Sequence, residues 1–371
     1  MKVLQLGKFY PIRGGVEKVE YDLMLGLSNQ GVHCDMLCAS TEAHPEATIH
    51  LNKFATLFVV STQINAAATK LAPKMITKLR KIGKNYDVIH VHHPDPMAAL
   101  ALYLSNYKGK VVLHWHSDIL KQKTLLRLYK PLQDWLIKRA DVIVGTTPIY
   151  VEQSKFLKEV QSKVDFIPIG VDVDPELSPL VEKIKGEYPN KKIIFSLGRL
   201  VEYKGYEYLI KSAKYLDDSY QIVIGGKGPL KEDLEALIVE NGLESKVKLL
   251  GFMTDEEVVG YYQACDLFCL SSILKTEAFA IVQIEAMGYG KPIVSTRIPE
   301  SGVSWVNQNG VSGLTVEIED ERSLADSFLT ILTNEDVYKN LSEGAKKRYF
   351  EHFTRQKMVD KCLQIYNKIL A

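Results

Sequence analysis

Two glutamates, Glu277 and Glu285, stand eight positions apart and bracket a short apolar run at residues 278–284. The run begins where a predicted strand at 267–272 gives way to a helix predicted to end near Gly288. A helix start offers free backbone N–H groups and the positive end of the dipole, which suit a phosphate. Glu277 precedes this start, and Glu285 is expected about two turns inside the helix. Carboxylates accept hydrogen bonds from hydroxyls rather than from phosphates. The pattern therefore indicates a sugar nucleotide.

A second set of charged residues follows the strand predicted at 193–197, where Arg199 and Lys204 lie five positions apart. Arginine presents a planar fork of donors and lysine a compact charge, and together they suit a leaving diphosphate. Either residue alone would be interpreted as a surface charge. Their place at the carboxyl end of a strand, where α/β sheets bind ligands, favours ligand binding.

The first strand is followed by a loop that contains Gly14 and Gly15 and then opens a helix. Paired glycines let a backbone approach a ligand closely, because no Cβ blocks the way. The alternative is an ordinary strand-to-helix turn. The loop is not a G-x-G-x-x-G sequence, so it does not predict a dinucleotide cofactor.

Histidines gather at two predicted strand ends. His114 and His116 share one face of the strand at 111–116, and His90, His92 and His93 form a second cluster with Asp95 at the end of the strand at 88–92. Zinc is conceivable at the second group. Adjacent ring orientations and the lack of a fourth ligand argue against it. No metal and no cofactor are expected.

The elements that must position these residues form two series of short apolar strands alternating with helical patterns, which predicts parallel sheets covered on both faces. A segment rich in Pro, Gly and Asp at 167–175 predicts the linker between two Rossmann-like domains that face each other across a cleft. The expected domains are residues 1–167 and residues 168–353, followed by a helix at 354–371. The predicted strands are 3–6, 33–38, 56–61, 88–92, 111–116, 142–146, 165–169, 193–197, 221–224, 247–250, 267–270 and 292–295, and the predicted helices include 16–30, 64–82, 125–140, 324–333, 337–350 and 354–370.

Composition is that of a soluble globular protein of 371 residues, which is long enough for two cores. Five cysteines form no C-x-x-C pair, and their odd number argues against a disulfide framework. The first residues run directly into a strand and show no signal-peptide pattern. No apolar run approaches the roughly 20 residues that span a bilayer. These observations predict a cytoplasmic location.

The net charge of +1 conceals an uneven distribution, because residues 1–167 carry 22 Lys and Arg against 14 Asp and Glu. Two stretches, residues 70–84 and 121–139, concentrate the basic excess, and both are predicted to be amphipathic helices. This pattern suits an anionic membrane surface or a diphosphate-bearing lipid, and the alternative is a solvated lysine-rich face. A peripheral position on the inner face of the cytoplasmic membrane is expected. Nucleic acid is not expected, since the total charge is nearly neutral and no binding motif is present.

A family resemblance rests on these residues together. Residues 277–294 resemble the E-x7-E signature of GT4-type retaining glycosyltransferases, which have the GT-B fold. Other stretches are similar to the family in the same order: Gly14-Gly15, a G-R-x-x-x-x-K-G element at 198–205, a G-x-G-P turn at 226–229 and Gly-Phe-Met at 251–253. Lys227 stands where the family often has Asp or Asn. The stretches 114–118, 275–279, 299–306 and 309–314 look like bacterial mannosyl- and rhamnosyltransferases of polysaccharide and lipopolysaccharide biosynthesis.

The resemblance implies that residues 1–167 bind the acceptor, that residues 168–353 bind the nucleotide sugar and that the helix at 354–371 packs back on the first domain.

The resemblance also implies roles for individual residues. It places the transferred sugar on His116 and Glu277, the leaving diphosphate on Arg199 and Lys204, and the ribose on Glu285. The candidate donor-binding residues are Gly14, Gly15, Gly228, Phe252, Ala278, Phe279, Ala280, Ile281, Val282 and Glu285. The candidates on the acceptor side are Arg13, His92, His93 and Asp118. The implied mechanism is a front-face displacement with retention, and it requires no metal.

The function expected from the sequence is transfer of a hexose, with GDP-mannose as the first choice of donor, to a polyprenyl-diphosphate-linked or polysaccharide acceptor. A UDP-sugar donor carrying glucose, galactose or N-acetylglucosamine is the alternative. Two rivals from other classes remain: a GT-B sugar-nucleotide epimerase and a non-catalytic nucleotide-sugar binding module. The epimerase would need a carboxylate base in the cleft, and the family's histidine and the E-x7-E spacing argue against it. Intact Arg199, Lys204, Glu277 and Glu285 favour an active enzyme over the silent module.

Overall fold

The computed structural model describes residues 1–41, 44–66, 69–119 and 123–371. The chain divides into two compact α/β units. Unit 1 comprises Met1–Gly170 and Arg355–Ala371, and unit 2 comprises Val171–Thr354. Each unit contains a largely parallel sheet with helices between successive strands.

The elements of unit 1 come from the first half of the chain, except for its last helix, which comes from the end of the chain. Its strands are β1 (Lys2–Tyr10), β2 (His33–Ser40), β3 (Ala47–Asn52), β4 (Ala55–Val60), β5 (Ile64–Ala66), β6 (Thr69–Leu71), β7 (Val88–His93), β8 (Lys110–Trp115), β9 (Val142–Gly145) and β10 (Val164–Phe166). Its helices are α1 (Val16–Asn29), α2 (Lys74–Ile82), α3 (Pro96–Ser105), α4 (Lys123–Arg139), α5 (Pro148–Glu152) and α14 (Arg355–Leu370), with short 3₁₀ turns at Gly83–Asn85 and Lys158–Lys163.

Unit 2 alternates strands and helices almost throughout. Its strands are β11 (Lys192–Leu197), β12 (Tyr220–Gly225), β13 (Val247–Gly251), β14 (Leu267–Leu270), β15 (Ile293–Thr296) and β16 (Gly313–Val316). Its helices are α6 (Leu180–Glu187), α7 (Tyr206–Ser212), α8 (Lys231–Glu240), α9 (Asp255–Ala264), α10 (Ile281–Gly288), α11 (Val303–Val306), α12 (Glu321–Leu332) and α13 (Glu335–Arg348), with 3₁₀ turns at Glu202–Lys204 and Ala213–Tyr215 and a π-turn at Tyr349–Phe353.

Strand order defines one switch point in each sheet. The order in unit 1 is β10-β9-β8-β7-β1-β2-β4-β3, and the order in unit 2 is β13-β12-β11-β14-β15-β16. The winding reverses between β1 and β7 and again between β11 and β14. Ligands of open α/β sheets bind beyond the carboxyl ends of the strands at such points.

Apolar strand sequences explain why the sheets lie inside their units. Every residue of β7 and of β12 is buried, as expected for strands covered by helices on both faces. In unit 2 one core cluster joins the inner strands to α7, α8 and α12 through Ile194, Ile222 and Phe328. These buried cores fix the strand ends on which the candidate site is built.

The observed secondary structure differs from the expected one in three places. The helix predicted at 64–82 is instead a hairpin of β5 and β6 followed by α2, which starts at Lys74. The sheet of unit 1 is not wholly parallel, because β3 pairs antiparallel with β4 at its edge. Strand β16 was not predicted. Residues 42–43, 67–68 and 120–122 lie outside the described residues, so the contribution of Lys121 to the second basic stretch is not placed.

Among the described residues, no helix combines the length and the apolar character that crossing a membrane requires.

Candidate functional site

The loops that follow β11, β12 and β14 meet at the switch point of unit 2. Backbone hydrogen bonds join them: the Gly198 N–H donates to Gly225, and the Ile273 N–H donates to Tyr203 at 2.8 Å. The loops also approach too closely for side chains, since a Cβ on Gly228 would lie 2.2 Å from the Leu200 carbonyl oxygen. The candidate site therefore has a backbone frame that the sequence fixes through its glycines.

A buried ion pair lies at the centre of this frame. Lys204 Nζ donates to Glu277 Oε2 at 2.5 Å, and the two residues are 7% and 8% exposed. The Ser272 hydroxyl donates to the same carboxylate oxygen at 2.9 Å. Ser271 in turn donates to the Lys204 carbonyl, which ties the two loops together. The structure thus joins two predicted site residues that are 73 positions apart.

The electrostatics keep the lysine charged. Burial lowers the pKa of Lys204, but the Glu277 carboxylate and the nearby Tyr206 and Tyr203 outweigh it, so the pKa lies above the ordinary value for lysine. Burial also raises the pKa of Tyr206 to about 12, so its hydroxyl stays neutral. A fixed cation of this kind stabilises an anion that develops beside it.

Gly205 allows the backbone to turn directly after Lys204. The φ of Gly205 is +60°, which is left-handed, and a Cβ at this position would lie 2.3 Å from the Ser271 carbonyl oxygen. We expect Gly205→Ala to lower the free energy of unfolding by roughly 3 kcal/mol, from backbone strain and crowding together. Gly242→Ala is the matched control, since Gly242 has a φ of +63° and no atom of the described residues lies within 4 Å of the position its Cβ would take. That control should cost about 1 kcal/mol. Equal losses in urea unfolding would show that close approach is not what Gly205 provides.

Helix α10 begins four residues after Glu277. The residue before it, Ala280, has a φ of 61°, which is strained for a residue with a Cβ. Ala278, Phe279 and Ala280 are buried, and Ile281 and Val282 are half-buried at the start of the helix. Backbone N–H groups at this helix start are the predicted phosphate ligands.

Glu285 is the fifth residue of α10, so it lies just over one turn inside the helix rather than two. The buried Tyr262 donates its hydroxyl to Glu285 Oε2 at 2.8 Å. Tyr262 therefore orients the carboxylate that was predicted to bind ribose. Sequence patterns did not indicate Tyr262, which comes from α9.

Two predicted residues of unit 2 lie at the surface. Arg199 is exposed, and in the described part of the chain its guanidinium forms no hydrogen bond or ion pair. Phe252 is 65% exposed, and Lys227 Nζ lies 4.6 Å from the centre of its ring. Both side chains are thus accessible to a ligand.

The Gly-Gly loop of unit 1 has the backbone that its sequence suggests. Gly14 and Gly15 have φ angles of +130° and +61°, and Gly15 is the residue that precedes α1. Arg13 is exposed beside them. This loop follows β1, one of the two strands at the switch point of unit 1.

His92 and His116 are brought together in unit 1, with His92 Nδ1 2.9 Å from His116 Nε2. The ring of His93 points to the other side of β7 and stacks on Trp115 at 3.8 Å. Asp118 is buried and accepts hydrogen bonds from Trp115 Nε1 at 2.8 Å and from the Ser154 hydroxyl at 2.7 Å. These bonds give the Asp118 carboxylate a structural role in the unit.

Three of the buried histidines have nitrogens close enough to suggest a metal site, because ligand atoms of His90, His92 and His114 lie within 4.8 Å of one another. Their rings are nearly parallel, at 15° between His90 and His92 and 28° between His92 and His114. Imidazole lone pairs lie in the ring plane, so nearly parallel rings do not direct three of them at one tetrahedral ion. Both ring nitrogens of His92 are also hydrogen-bonded. The geometry favours a hydrogen-bonded network.

Comparisons with known proteins identify the family of the chain. The model for "Glycosyltransferase Family 4" matches residues 13–175, and the model for "Glycosyl transferases group 1" matches residues 179–348. O-antigen chain mannosyltransferase C of Escherichia coli is 30% identical, over 100% of this chain and 99% of the relative. D-rhamnosyltransferase WbpZ of Pseudomonas aeruginosa is 28% identical, over 95% of this chain and 92% of the relative.

The fold comparison gives the same class. The crystal structure of Anabaena HepE in complex with UDP has a TM-score of 0.78 at 20% identity, and the match covers 99% of this chain and 100% of that one. The protein has a GT-B fold. It belongs to the GT4-type glycosyltransferase family, and the resemblance found in the sequence is confirmed.

Proposed function

We propose that the protein transfers mannose from GDP-mannose, with retention of configuration, to a polyprenyl-diphosphate-linked or polysaccharide acceptor of O-antigen type. The two relatives named above, an O-antigen mannosyltransferase and a rhamnosyltransferase, support this choice of sugar and pathway. A UDP-sugar is the second candidate donor, because the related fold of HepE was crystallised with UDP.

The observation that carries the proposal is the buried Lys204–Glu277 pair at the switch point of unit 2. Burying a cation costs free energy unless the cation is paired with other groups. Here it lies beside the loop that leads into α10, so a lysine charge and a helix start are available to the same diphosphate. Arg199, exposed and without a partner among the described residues, is proposed as the third group on the leaving diphosphate.

The remaining roles follow the sequence predictions. Glu285, oriented by Tyr262, is proposed to accept hydrogen bonds from the ribose hydroxyls, and Glu277 to accept from a hydroxyl of the donor sugar. Gly228 and the exposed Phe252 are proposed near the nucleoside. Gly14 and Gly15 are proposed against the donor diphosphate, His116 against the transferred sugar and Arg13 on the acceptor side. His92, His93 and Asp118 bond to or stack on other residues inside unit 1, so they are proposed to support the acceptor side from within the unit.

The chemistry is a front-face displacement. The bond between the anomeric carbon and the diphosphate oxygen breaks, and an acceptor oxygen bonds to the same face of that carbon. The departing diphosphate takes the proton of the acceptor hydroxyl. Negative charge gathers on the diphosphate oxygens in the transition state, where Arg199 and Lys204 stabilise it. These protein groups supply the charge that a divalent metal would otherwise supply, so the proposal includes no metal or cofactor.

The basic surface of unit 1 supports a peripheral position on the inner face of the cytoplasmic membrane. Leu128 on α4 is 79% exposed, and exposed Arg127 and Lys130 flank it. An exposed apolar side chain between cations suits an anionic lipid surface. A lipid-linked acceptor would be found at that surface.

Binding of the donor is tested by thermal unfolding of the pure protein with a panel of nucleotides and nucleotide sugars, with and without EDTA. A ligand that binds the folded state at 100 times its Kd adds about 2.7 kcal/mol of stability. We expect GDP and GDP-mannose to raise the Tm and EDTA to leave that shift unchanged. A larger shift with UDP-sugars would replace the donor and keep the mechanism. No shift with any nucleotide would contradict the proposal.

A further inference from the structure

A continuous chain of hydrogen bonds runs through the interior of unit 1 and ends at His116. The Tyr366 hydroxyl on α14 lies 2.5 Å from His90 Nδ1 and accepts from Gln5 Nε2 at 3.2 Å. The Gln5 amide oxygen lies 2.9 Å from His92 Nε2, and His92 Nδ1 lies 2.9 Å from His116 Nε2. All five residues are at most 5% exposed.

The bond between the two imidazoles has a well-defined geometry. The rings of His92 and His116 are 15° apart in plane, and their centres are 5.2 Å apart. This separation fits two rings that lie side by side and share one in-plane hydrogen bond between nitrogens. The contact is therefore a directed N–H···N bond, in which one nitrogen donates and the other accepts.

The direction of each bond follows from the orientation of the Gln5 amide. Its nitrogen faces two acceptors, the Tyr366 hydroxyl at 3.2 Å and the Cys34 sulfur at 3.6 Å, and its oxygen faces His92. An amide oxygen can only accept, so His92 Nε2 must carry a hydrogen. A neutral imidazole carries one hydrogen, so His92 Nδ1 is an acceptor and His116 Nε2 must donate to it. The lone pair of His116 is then on Nδ1.

The neutral form of both rings is the stable one. Burial is the largest cause that lowers the pKa of His92 and of His116 well below the ordinary value for histidine, and neighbouring histidines and Lys8 lower it further. Only a second hydrogen on one of the rings would change which nitrogen donates in the bond between His92 and His116. Near neutral pH neither ring carries one.

The series of hydrogen bonds ends at His116 Nδ1. This nitrogen is buried, and no described residue forms a hydrogen bond with it. An unfilled buried acceptor costs about 1–3 kcal/mol. Because this atom is an acceptor, the group that satisfies it must be a donor, such as a hydroxyl. A phosphate oxygen or a carboxylate cannot serve.

We infer that Gln5, His92 and Tyr366 are positioning residues that hold His116 in its Nε2–H tautomer, so that its Nδ1 accepts a hydrogen bond from a hydroxyl of the sugar substrate. This inference rests on the proposed function for the identity of the ligand. The tautomer itself does not depend on it. Gln5 then sets a preference for sugars that keep the paired hydroxyl, although it touches no substrate.

The tautomer is read directly by ¹⁵N NMR of the full chain, ligand-free at neutral pH, with its nine histidines labelled in the ring. Protonated and bare imidazole nitrogens resonate far apart, and the spectrum of His116→Gln identifies the His116 signals by their loss. We expect a bare Nδ1 and a protonated Nε2 at His116. A hydrogen on Nδ1, or an average of both tautomers, would overturn the inference.

The effect on specificity is measured as kcat/KM for GDP-mannose relative to each of its monodeoxy analogues. For one of the analogues, the ratio of kcat/KM for GDP-mannose to kcat/KM for the analogue should be about tenfold larger in the wild type than in Gln5→Met. A factor of about ten is the size expected for the loss of one hydrogen bond. Gln221→Met is the matched control, since Gln221 is a buried strand glutamine of unit 2 whose amide oxygen accepts from Lys191. The control should keep the wild-type ratios.

These outcomes separate the inference from the proposed function. Equal ratios in the wild type, Gln5→Met and the control would overturn the specificity role of Gln5. Absence of turnover with GDP-mannose in the wild type would contradict the proposed donor and leave the NMR result standing. If Gln5→Met does not fold, the wild-type spectrum still decides the tautomer.

Discussion

Replacing Arg199 by alanine is expected to reduce turnover by about 10²–10³-fold, because one charge donor is removed from the leaving diphosphate. Stability should change by less than about 0.5 kcal/mol, since the side chain is exposed and unpaired within the described part of the chain. The comparison requires kcat with the donor that the binding screen selects, together with the urea midpoint of each protein.

Arg322→Ala is the matched control for this substitution. Arg322 is an exposed arginine of unit 2 that pairs with Asp326 at 3.1 Å on α12. Its loss should leave turnover unchanged. Wild-type turnover in a folded Arg199→Ala protein would show that the arginine does not serve the diphosphate.

Replacing Lys204 by methionine should affect both turnover and folding. It removes the second diphosphate group, with an expected loss of about 10²–10³-fold in turnover. It also leaves the Glu277 carboxylate buried without its cation, and breaking a buried pair in this way costs about 3–5 kcal/mol. Urea unfolding and kcat measured on the same preparations give the two effects separately.

A double variant distinguishes a catalytic pair from a structural one. In Lys204→Met with Glu277→Gln no buried charge is left unpaired, so most of the lost stability should return. Turnover should stay low, because the cation is still missing. Recovery of turnover together with stability would mean that the pair serves folding alone. Lys248→Met, which breaks an exposed pair with Glu187, should cost less than about 1 kcal/mol.

Much of the fold could be predicted because parallel strands buried on both faces leave a plain signal. The apolar runs that became β7, β11 and β12 were found within about two residues of their observed bounds. The pattern failed where local sequence is ambiguous. Residues 64–82 contain enough alanine and lysine to suggest a helix, yet the first part forms the hairpin of β5 and β6. Edge strand β3 alternates between half-buried and exposed residues and lacks the apolar run of an inner strand.

The candidate site shows a similar division. Motif spacing identified Lys204 and Glu277 separately, and it could not predict the bond between them, which depends on how two loops fold at the switch point. The series of hydrogen bonds that ends at His116 could not be predicted from the sequence either. Gln5 and Tyr366 are 361 positions apart, and neither belongs to a motif. Such partners are set by tertiary packing of α14 in unit 1. Motif spacing therefore identified the candidate residues of the site and left the groups that contact and orient them unidentified.

The proposed transfer is measured as release of nucleoside diphosphate from nucleotide sugars by the wild-type protein in EDTA, with lipid-linked glycan acceptors from bacterial membranes. We expect release of GDP from GDP-mannose, matched by sugar entering the lipid fraction with an α linkage, and a rate about 10²–10³-fold lower in Arg199→Ala. Release from no nucleotide sugar, with or without divalent metal, would contradict the proposed transfer.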